Sequence, residues 1–350
     1  MELKSYQDVM KHLRGQNRSA HLLLGNGFSM AYDTKIFSYN ALHNFLDNLD
    51  NELLSKLFDI VNTKNFELVL QQLDNFCELI DAFGSDSVLK FKVQEASETL
   101  KVSLIHAIEE LHPEHVFKIP QEKSLACAKF LNQFLSNGGE IFTTNYDVLL
   151  YWVLMRNEIP NAIDGFGRDV ESAGEFVPED EIELSELRWG RNKERQNIHY
   201  LHGALPLFDT GVEIVKEEYD SENFIMENIR KRLLNKEYPV IVTAGNSTQK
   251  LEHIMHNRYL TNCYERLCNI EGSLIVFGFG FGEYDEHIID AINIASKHKR
   301  DKEFKEKLWS IYIGINSPRS QKHIEQISKK FMCKVNVFDA KTAPVWGNST

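Results

Sequence analysis

The sequence predicts an α/β fold: a Rossmann-like, mostly parallel sheet with helices on both faces and an inserted helical subdomain. Three observations carry this reading. Short apolar runs recur at His21–Leu24, 140–145, Ile198–Leu201, Pro239–Ala244, Ser273–Phe277, Ser310–Ile315 and Lys334–Phe338, each of strand length. Helical periodicity separates most of them, and strands alternating with helices make a parallel sheet through crossover connections. Several runs also stop abruptly at glycine, asparagine or histidine. Strands end in this way at the carboxyl edge of an open sheet, where ligands bind.

Residues 3–14 read as a short helix feeding the first strand. Gly25-Asn26-Gly27-Phe28-Ser29 then turns the chain into a helix near Phe28–Tyr32. Leu42, Phe45, Leu49, Leu53, Leu57 and Ile60 recur every three or four residues. So do Phe66, Val69, Leu73, Phe76, Ile80 and Phe83, and the pattern continues from Leu89 to Leu111. This is helical spacing, and His112-Pro113 ends it. With no strand signal between 38 and 118, this block is expected to be a helical insert in a core of residues 1–37 and 119–350.

A helix at 123–136 stops at Asn137-Gly138-Gly139, and another follows the second strand through 157. Between 158 and 197 the periodicity breaks. Glycines at 165, 167 and 174 precede the acidic run Glu179–Glu183 and a basic stretch from Arg188 to Arg195. A solvated surface loop and a substrate-covering lid both fit this composition. Helices at 246–270, 284–299 and 318–331 space the remaining strands.

A chain of 350 residues can bury a full core without disulfide or metal staples. Its net charge of −12 argues against a broad phosphate-backbone surface, so no direct nucleic-acid binding is expected, although a local anion pocket is allowed. Cys77, Cys127, Cys263, Cys268 and Cys333 are scattered and form no C-x-x-C pair. Neither a zinc ribbon nor a secreted disulfide framework is indicated, which fits core thiols in a reducing cytoplasm. The start, Met1-Glu2-Leu3-Lys4-Ser5, lacks an apolar h-region and no run of about 18 apolar residues occurs, so a cytosolic protein without a membrane segment is expected. His253 and His256 share a helix without a third ligand, and no metal is expected there.

The strand endings carry the chemistry. Glycines in Gly25-Asn26-Gly27-Phe28-Ser29 would let the backbone approach a pyrophosphate at a helix N-terminus; a tight turn without a ligand needs the same residues. Thr143-Thr144-Asn145-Tyr146-Asp147 puts an amide and a carboxylate past a strand, where either could instead cap the next helix. His202 emerges in Tyr200-Leu201-His202-Gly203. Gly278-Phe279-Gly280-Phe281-Gly282 is a second glycine turn, followed by Asp285, and Gly245-Asn246-Ser247 is a weaker third.

Taken in order, GNGFS, TTNYD, LHG and GFGFGEYD resemble the sirtuin-like family, over a span from Gly25 to Asp285. The resemblance implies that Gly25, Gly27 and Ser29 form the phosphate and ribose loop, with Asn26 and Phe28 among them. It makes Asn145 and Asp147 the polar residues of an NAD pocket beside Thr144, and His202 the general base. Gly278 and Gly280 fall on the adenosine-side turn, near Asp285. Sirtuin deacylases carry a four-cysteine zinc ribbon between the histidine motif and the late glycine turn, where only Cys263 and Cys268 stand here. Their Asp-Phe-Arg element is also missing, Phe37 being a partial stand-in.

Zinc-free proteins of this type resemble bacterial anti-phage effectors that destroy NAD. The expected activity is therefore cleavage of the nicotinamide–ribose bond, with NAD as substrate and no metal. A module that senses NAD or ADP-ribose without turnover is the alternative, and a protein deacylase fits less well. Because unregulated NAD hydrolysis would kill a host, a regulatory protein partner or a homo-oligomer is expected. The apolar stripes of the insert offer a face for either, or an ordinary subdomain core.

Overall fold

Lys4 and Ser5 open the chain as a two-residue strand, β1 (Lys4–Ser5), and Ser5 at once caps α1 (Tyr6–Gly15). The Ser5 side chain accepts the Asp8 N–H while the Asp8 carboxylate accepts the Ser5 N–H, a reciprocal capping box. The structure, a computed structural model, describes residues 3–34, 56, 60, 66–84, 87–111, 113, 115–169, 185–219, 223–235, 237–242, 246–297 and 308–347. The predicted stripe from Leu42 to Leu57 lies outside them.

β2 (Ala20–Leu24) leads through the glycine turn into α2 (Gly27–Tyr32). Within the insert, α3 (Phe66–Ala82) packs on α4 (Ser87–Leu111). Val69, Leu73, Ile80, Ala96 and Leu100 are buried, whereas Phe76, Phe83, Val88 and Phe91 are exposed near the hairpin tip. The chain returns through α5 (Gln121–Leu135), β3 (Ile141–Thr143) and α6 (Leu149–Arg156).

The stretch from 158 to 197 is not only loop. It contributes β4 (Phe166–Gly167) and β5 (Leu187–Trp189), while 170–184 lies outside the described residues. Then come β6 (Ile198–Tyr200), β7 (Gly203–Asp209), β8 (Ile214–Lys216), α7 (Ile225–Leu234) and β9 (Pro239–Ile241). The remainder is α8 (Ser247–His256), α9 (Arg258–Leu267), β10 (Gly272–Phe277), α10 (Glu286–Ser296), β11 (Leu308–Ile315), α11 (Pro318–Ile327) and β12 (Lys334–Asp339).

Seven strands form one sheet in the order β1-β12-β11-β10-β2-β3-β6, and every pairing in it is parallel. β10, β3 and β6 are buried at every residue, as expected where helices cover both faces. Chain order reverses around β2: the chain runs outward through β3 and β6, then returns to β10 and proceeds the other way. The β2–β10 boundary is thus the topological switch point, the usual ligand crevice of such sheets.

A separate sheet, β4-β5-β8-β7-β9, is antiparallel throughout. Here the structure corrects the expectation that 239–244 adds to the parallel sheet. Periodicity alone cannot assign a short apolar run to a sheet, and β9 pairs antiparallel with β7 because the chain turns sharply after His202. The single helix expected over 246–270 is likewise two. Asn257 adopts an extended conformation, and its side-chain oxygen accepts the N–H groups of Tyr259 and Leu260, starting α9 afresh.

Candidate functional site

The two glycine turns of the switch point need glycine because of each other. Gly25 N–H donates to the Phe277 carbonyl at 3.0 Å, and Gly27 N–H to the Gly278 carbonyl at 2.8 Å. A Cβ added at Gly27 would lie 2.5 Å from Gly278 Cα, and one at Gly25 would lie 2.6 Å from Phe279 Cα. These glycines therefore let β2 and β10 close at their carboxyl ends. Gly280 differs, since an added Cβ would meet nothing within 4 Å. Among the described residues Asn26 Nδ2 is buried without a hydrogen-bond partner, a polar group that a ligand could satisfy. Phe28 is buried under Trp346, whose indole N–H donates to the Phe28 carbonyl at 2.8 Å and pins α2.

Ser29 joins this turn to the neighbouring strand end. Its hydroxyl donates to Asp147 Oδ2 at 2.5 Å and accepts from Asn145 Nδ2 at 2.9 Å. Because the serine proton is committed to the carboxylate, the Asn145 amide must present its NH₂ to Ser29, leaving Oδ1 as its acceptor. Asp147 Oδ1 accepts the Leu149 N–H at 2.9 Å, so Asp147 both caps the start of α6 and holds Ser29. Burial raises the Asp147 carboxyl to about 6, against the lowering effect of the Ser29 and Leu149 bonds. Thr144 is tied to β2 through its N–H, which donates to the Leu24 carbonyl at 3.0 Å.

His202 stands beside this cluster by register. Thr143 of β3 pairs with Tyr200 of β6, and Asn145 and His202 each lie two residues further on. Leu201 N–H donates to the Thr143 carbonyl and Leu205 N–H to the Tyr146 carbonyl, both at 2.8 Å. The turn carrying His202 is thereby strapped along the turn carrying Asn145. Gly203 then bends the chain into the second sheet with φ of +73°, and a Cβ there would come within 1.8 Å of the Val240 carbonyl oxygen. The His-Gly pair thus marks the junction of the two sheets.

His202 is buried, and its Nε2 lies 2.9 Å from His287 Nε2, with the rings stacked at 5.2 Å. His287, in the first turn of α10, has its N–H on Ser247 Oγ at 2.7 Å and its Nδ1 3.3 Å from the same oxygen. Asp285 pairs with the buried Lys250 at 2.8 Å. Burial, with His287, Lys250 and His253 nearby, holds the His202 imidazole well below its usual range. Burial likewise takes His287 down to about 4, and Lys250 pushes the same way against Asp285. Both rings are neutral at pH 7.

Ser247, Lys250 and His287 were not singled out in the sequence as site residues. His287 had a faint signal, a histidine one turn into the helix after the late glycine motif, and Ser247 follows the weaker Gly245-Asn246 turn. Lys250 had none, since a lysine inside a helix reads as solvated surface. Among the described residues no group of three or more His, Cys, Asp or Glu is arranged to hold a metal, and no helix is long and apolar enough to cross a membrane. Cys263 is buried with its thiol pushed up to about 12. Two surface clefts, of about 420 Å³ between α5 and the end of α6 and about 490 Å³ beside α1, contain none of the candidate residues. The candidate residues are brought together by the register and hydrogen bonding of the sheet edge and not by either cleft.

Residues 22–346 match a family described as "Domain of unknown function (DUF4917)". No curated protein matches the chain.

Proposed function

We propose, for a chain that belongs to the DUF4917 family, that it is an NAD glycohydrolase cleaving the nicotinamide–ribose bond to give nicotinamide and ADP-ribose. One observation carries this reading: four neighbouring strands, β10-β2-β3-β6, end together in the glycine turns, the Ser29–Asn145–Asp147 cluster and His202. The sirtuin-like order of motifs supplies the chemistry. Asn26 Nδ2 and the open surface at Gly280 are the groups left to hold the dinucleotide.

Cleavage of this bond builds positive charge on the ribose, as in other glycosidic cleavages. Nicotinamide leaves as a neutral molecule, so no acid is needed. Asn145, fixed by Ser29, orients a ribose hydroxyl or the incoming water through Oδ1. Asp147, ionised at pH 7, sets a negative potential beside the developing cation. His202, neutral at that pH, takes the proton of the attacking water. No metal is assigned a role. NAD loss would serve a regulated cytoplasmic anti-phage effector, controlled by a protein partner or by assembly.

One observation favours a second reading, a module that binds NAD or ADP-ribose without turnover. Asn145, Asp147 and His202 are only 8%, 7% and 5% exposed, so little of each is presented to a solvent-borne substrate. Following free nicotinamide and ADP-ribose from purified protein, alone and with candidate partners, separates the two. Turnover that falls about 10²–10⁴-fold in Asn145→Ala and His202→Ala supports the hydrolase. Saturable NAD binding without product under any condition would favour the sensor, and undiminished cleavage by His202→Ala would remove that histidine from the mechanism.

A further inference from the structure

NAD hydrolysis releases one proton per turnover: water adds its hydroxyl to ribose C1′, the C–N electron pair neutralises the departing pyridinium, and the remaining proton must leave. His202 is buried, and among the described residues no carboxylate pairs with it to stabilise its charged form. Resting on the hydrolase reading, the geometry points to an exit path. We propose that His287 and Ser247 form a relay that carries the proton from His202 toward solvent, making His287 a positioning residue that acts through His202.

The atoms permit two proton placements. In one, Ser247 Oγ–H donates to His287 Nδ1 and His287 Nε2–H donates to His202 Nε2. In the other, His202 Nε2–H donates to His287 Nε2 and His287 Nδ1–H to Ser247 Oγ, which leaves His202 Nδ1 with a free lone pair. Only the second lets His202 act as base. When Nδ1 takes the water proton, the Nε2 proton crosses 2.9 Å to His287, and the His287 Nδ1 proton passes toward Ser247, whose hydroxyl hands its own proton outward. His202 is then neutral with its proton on Nδ1, and one proton has left. After product release the Nδ1 proton is lost to water entering the emptied site, while Ser247 takes a proton from solvent and passes it back through His287, which restores the starting tautomers.

The path runs outward, from a buried imidazole to a serine that is partly exposed at the N-terminus of α8. The groups facing it set the cost of storing charge. Lys250 and His253 come from α8, while Asp285, which precedes α10, is engaged by Lys250. Burial penalises a proton on either ring; His287, Lys250 and His253 add to this at His202, whereas Asp285 favours a proton on His287, so charge moves from His202 outward. The serine is held in place independently by the His287 N–H, which keeps its oxygen within reach of the ring.

The test uses the full chain with His287→Gln and Ser247→Ala, each checked for wild-type melting and NAD affinity. Glutamine keeps a hydrogen-bonding side chain but cannot pass a proton. The expected result is a kcat lowered at least tenfold with KM unchanged, restored in part by imidazole or another small buffer. Ser247→Ala should give a smaller loss with the same buffer rescue. Wild-type kcat and pH profile in a folded His287→Gln protein, or in Ser247→Ala if the glutamine variant fails to fold, would overturn the relay. A wild-type protein without any nicotinamide release would instead overturn the hydrolase reading and the relay with it.

Discussion

Ser29 gives its only hydroxyl proton to Asp147 at 2.5 Å, and this single bond decides how Asn145 must sit. With the proton so placed, the oxygen can only accept from the asparagine, and the amide cannot flip without losing the contact. Ser29→Ala should therefore do two things. A buried amide N–H and a buried carboxylate lose their partner, costing about 1–3 kcal/mol in urea unfolding. On the proposed hydrolase reading, NAD turnover by the folded variant should fall more than tenfold, since Asn145 is no longer aimed. Loss of stability with full turnover would show that Asn145 orientation is set elsewhere.

Asp147 makes stability depend on pH in an unusual direction. Burial raises its carboxyl from 3.8 to about 6, so the folded state binds its proton more tightly than the unfolded chain does. Its contribution is most favourable below pH 3.8 and is lost as pH rises through about 6. At neutral pH the ionised form costs on the order of 3 kcal/mol. Asp147→Asn should gain stability relative to wild type as pH is raised from 4 to 7, while losing NAD cleavage. Urea midpoints at four or five pH values measure this, and a constant gap between the two proteins would refute it.

The bend after His202 rests on a residue without a Cβ. Gly203 has φ of +73°, and the Val240 carbonyl fills the space a side chain would need. Gly203→Ala combines backbone strain with overpacking, each worth about 1–3 kcal/mol. The β7–β9 pairing should loosen, exposing the Val242 N–H that donates to the His202 carbonyl at 2.8 Å. Hydrogen exchange at Val242 should accelerate well beyond that at Val276, in the centre of the parallel sheet. Equal protection at both sites would show that the junction absorbs the methyl group.

The strand ends were legible because strands of a parallel sheet stop at residues that leave the helical and extended patterns together. Gly25, Asn145, His202 and Gly278 stand out for that reason. The purpose of the glycines was not legible, because close approach of Gly27 to Gly278 and room for a phosphate demand the same residue. Nor was the second sheet. β4, β5 and β8 have two or three residues each, too short for alternation to register, and β9 reads as a strand whose antiparallel partner the run itself does not reveal. Asn257 read as an ordinary helix residue, since its cap depends on a backbone break the pattern does not show. His287 and Lys250 became visible only once α8 and α10 were brought against the end of β6.

Glu140 lies at the opposite, amino-terminal edge of the sheet and separates stability from activity. The buried carboxylate accepts two hydrogen bonds from Arg266, at 2.7 and 2.5 Å, and one from His199 Nε2 at 2.9 Å. Burial raises its carboxyl, but the His199 and Arg266 bonds prevail and hold it at about 2. His199, kept neutral by burial, donates from Nε2 while its Nδ1 faces the Gln196 amide. Glu140→Gln removes the counter-charge of a guanidinium that is itself 53% exposed and screened by solvent, and should cost about 1–3 kcal/mol at pH 7. The contribution is fully present above pH 4.5 and is lost as pH falls through about 2, so the gap between wild type and variant should hold from pH 7 to pH 5 and close in acid. This is the reverse of the trend expected at Asp147. NAD turnover per folded molecule should stay at the wild-type level, because the network touches none of the residues at the carboxyl edge. A Glu140→Gln protein that is fully folded yet inactive would mean that the two edges of the sheet are coupled.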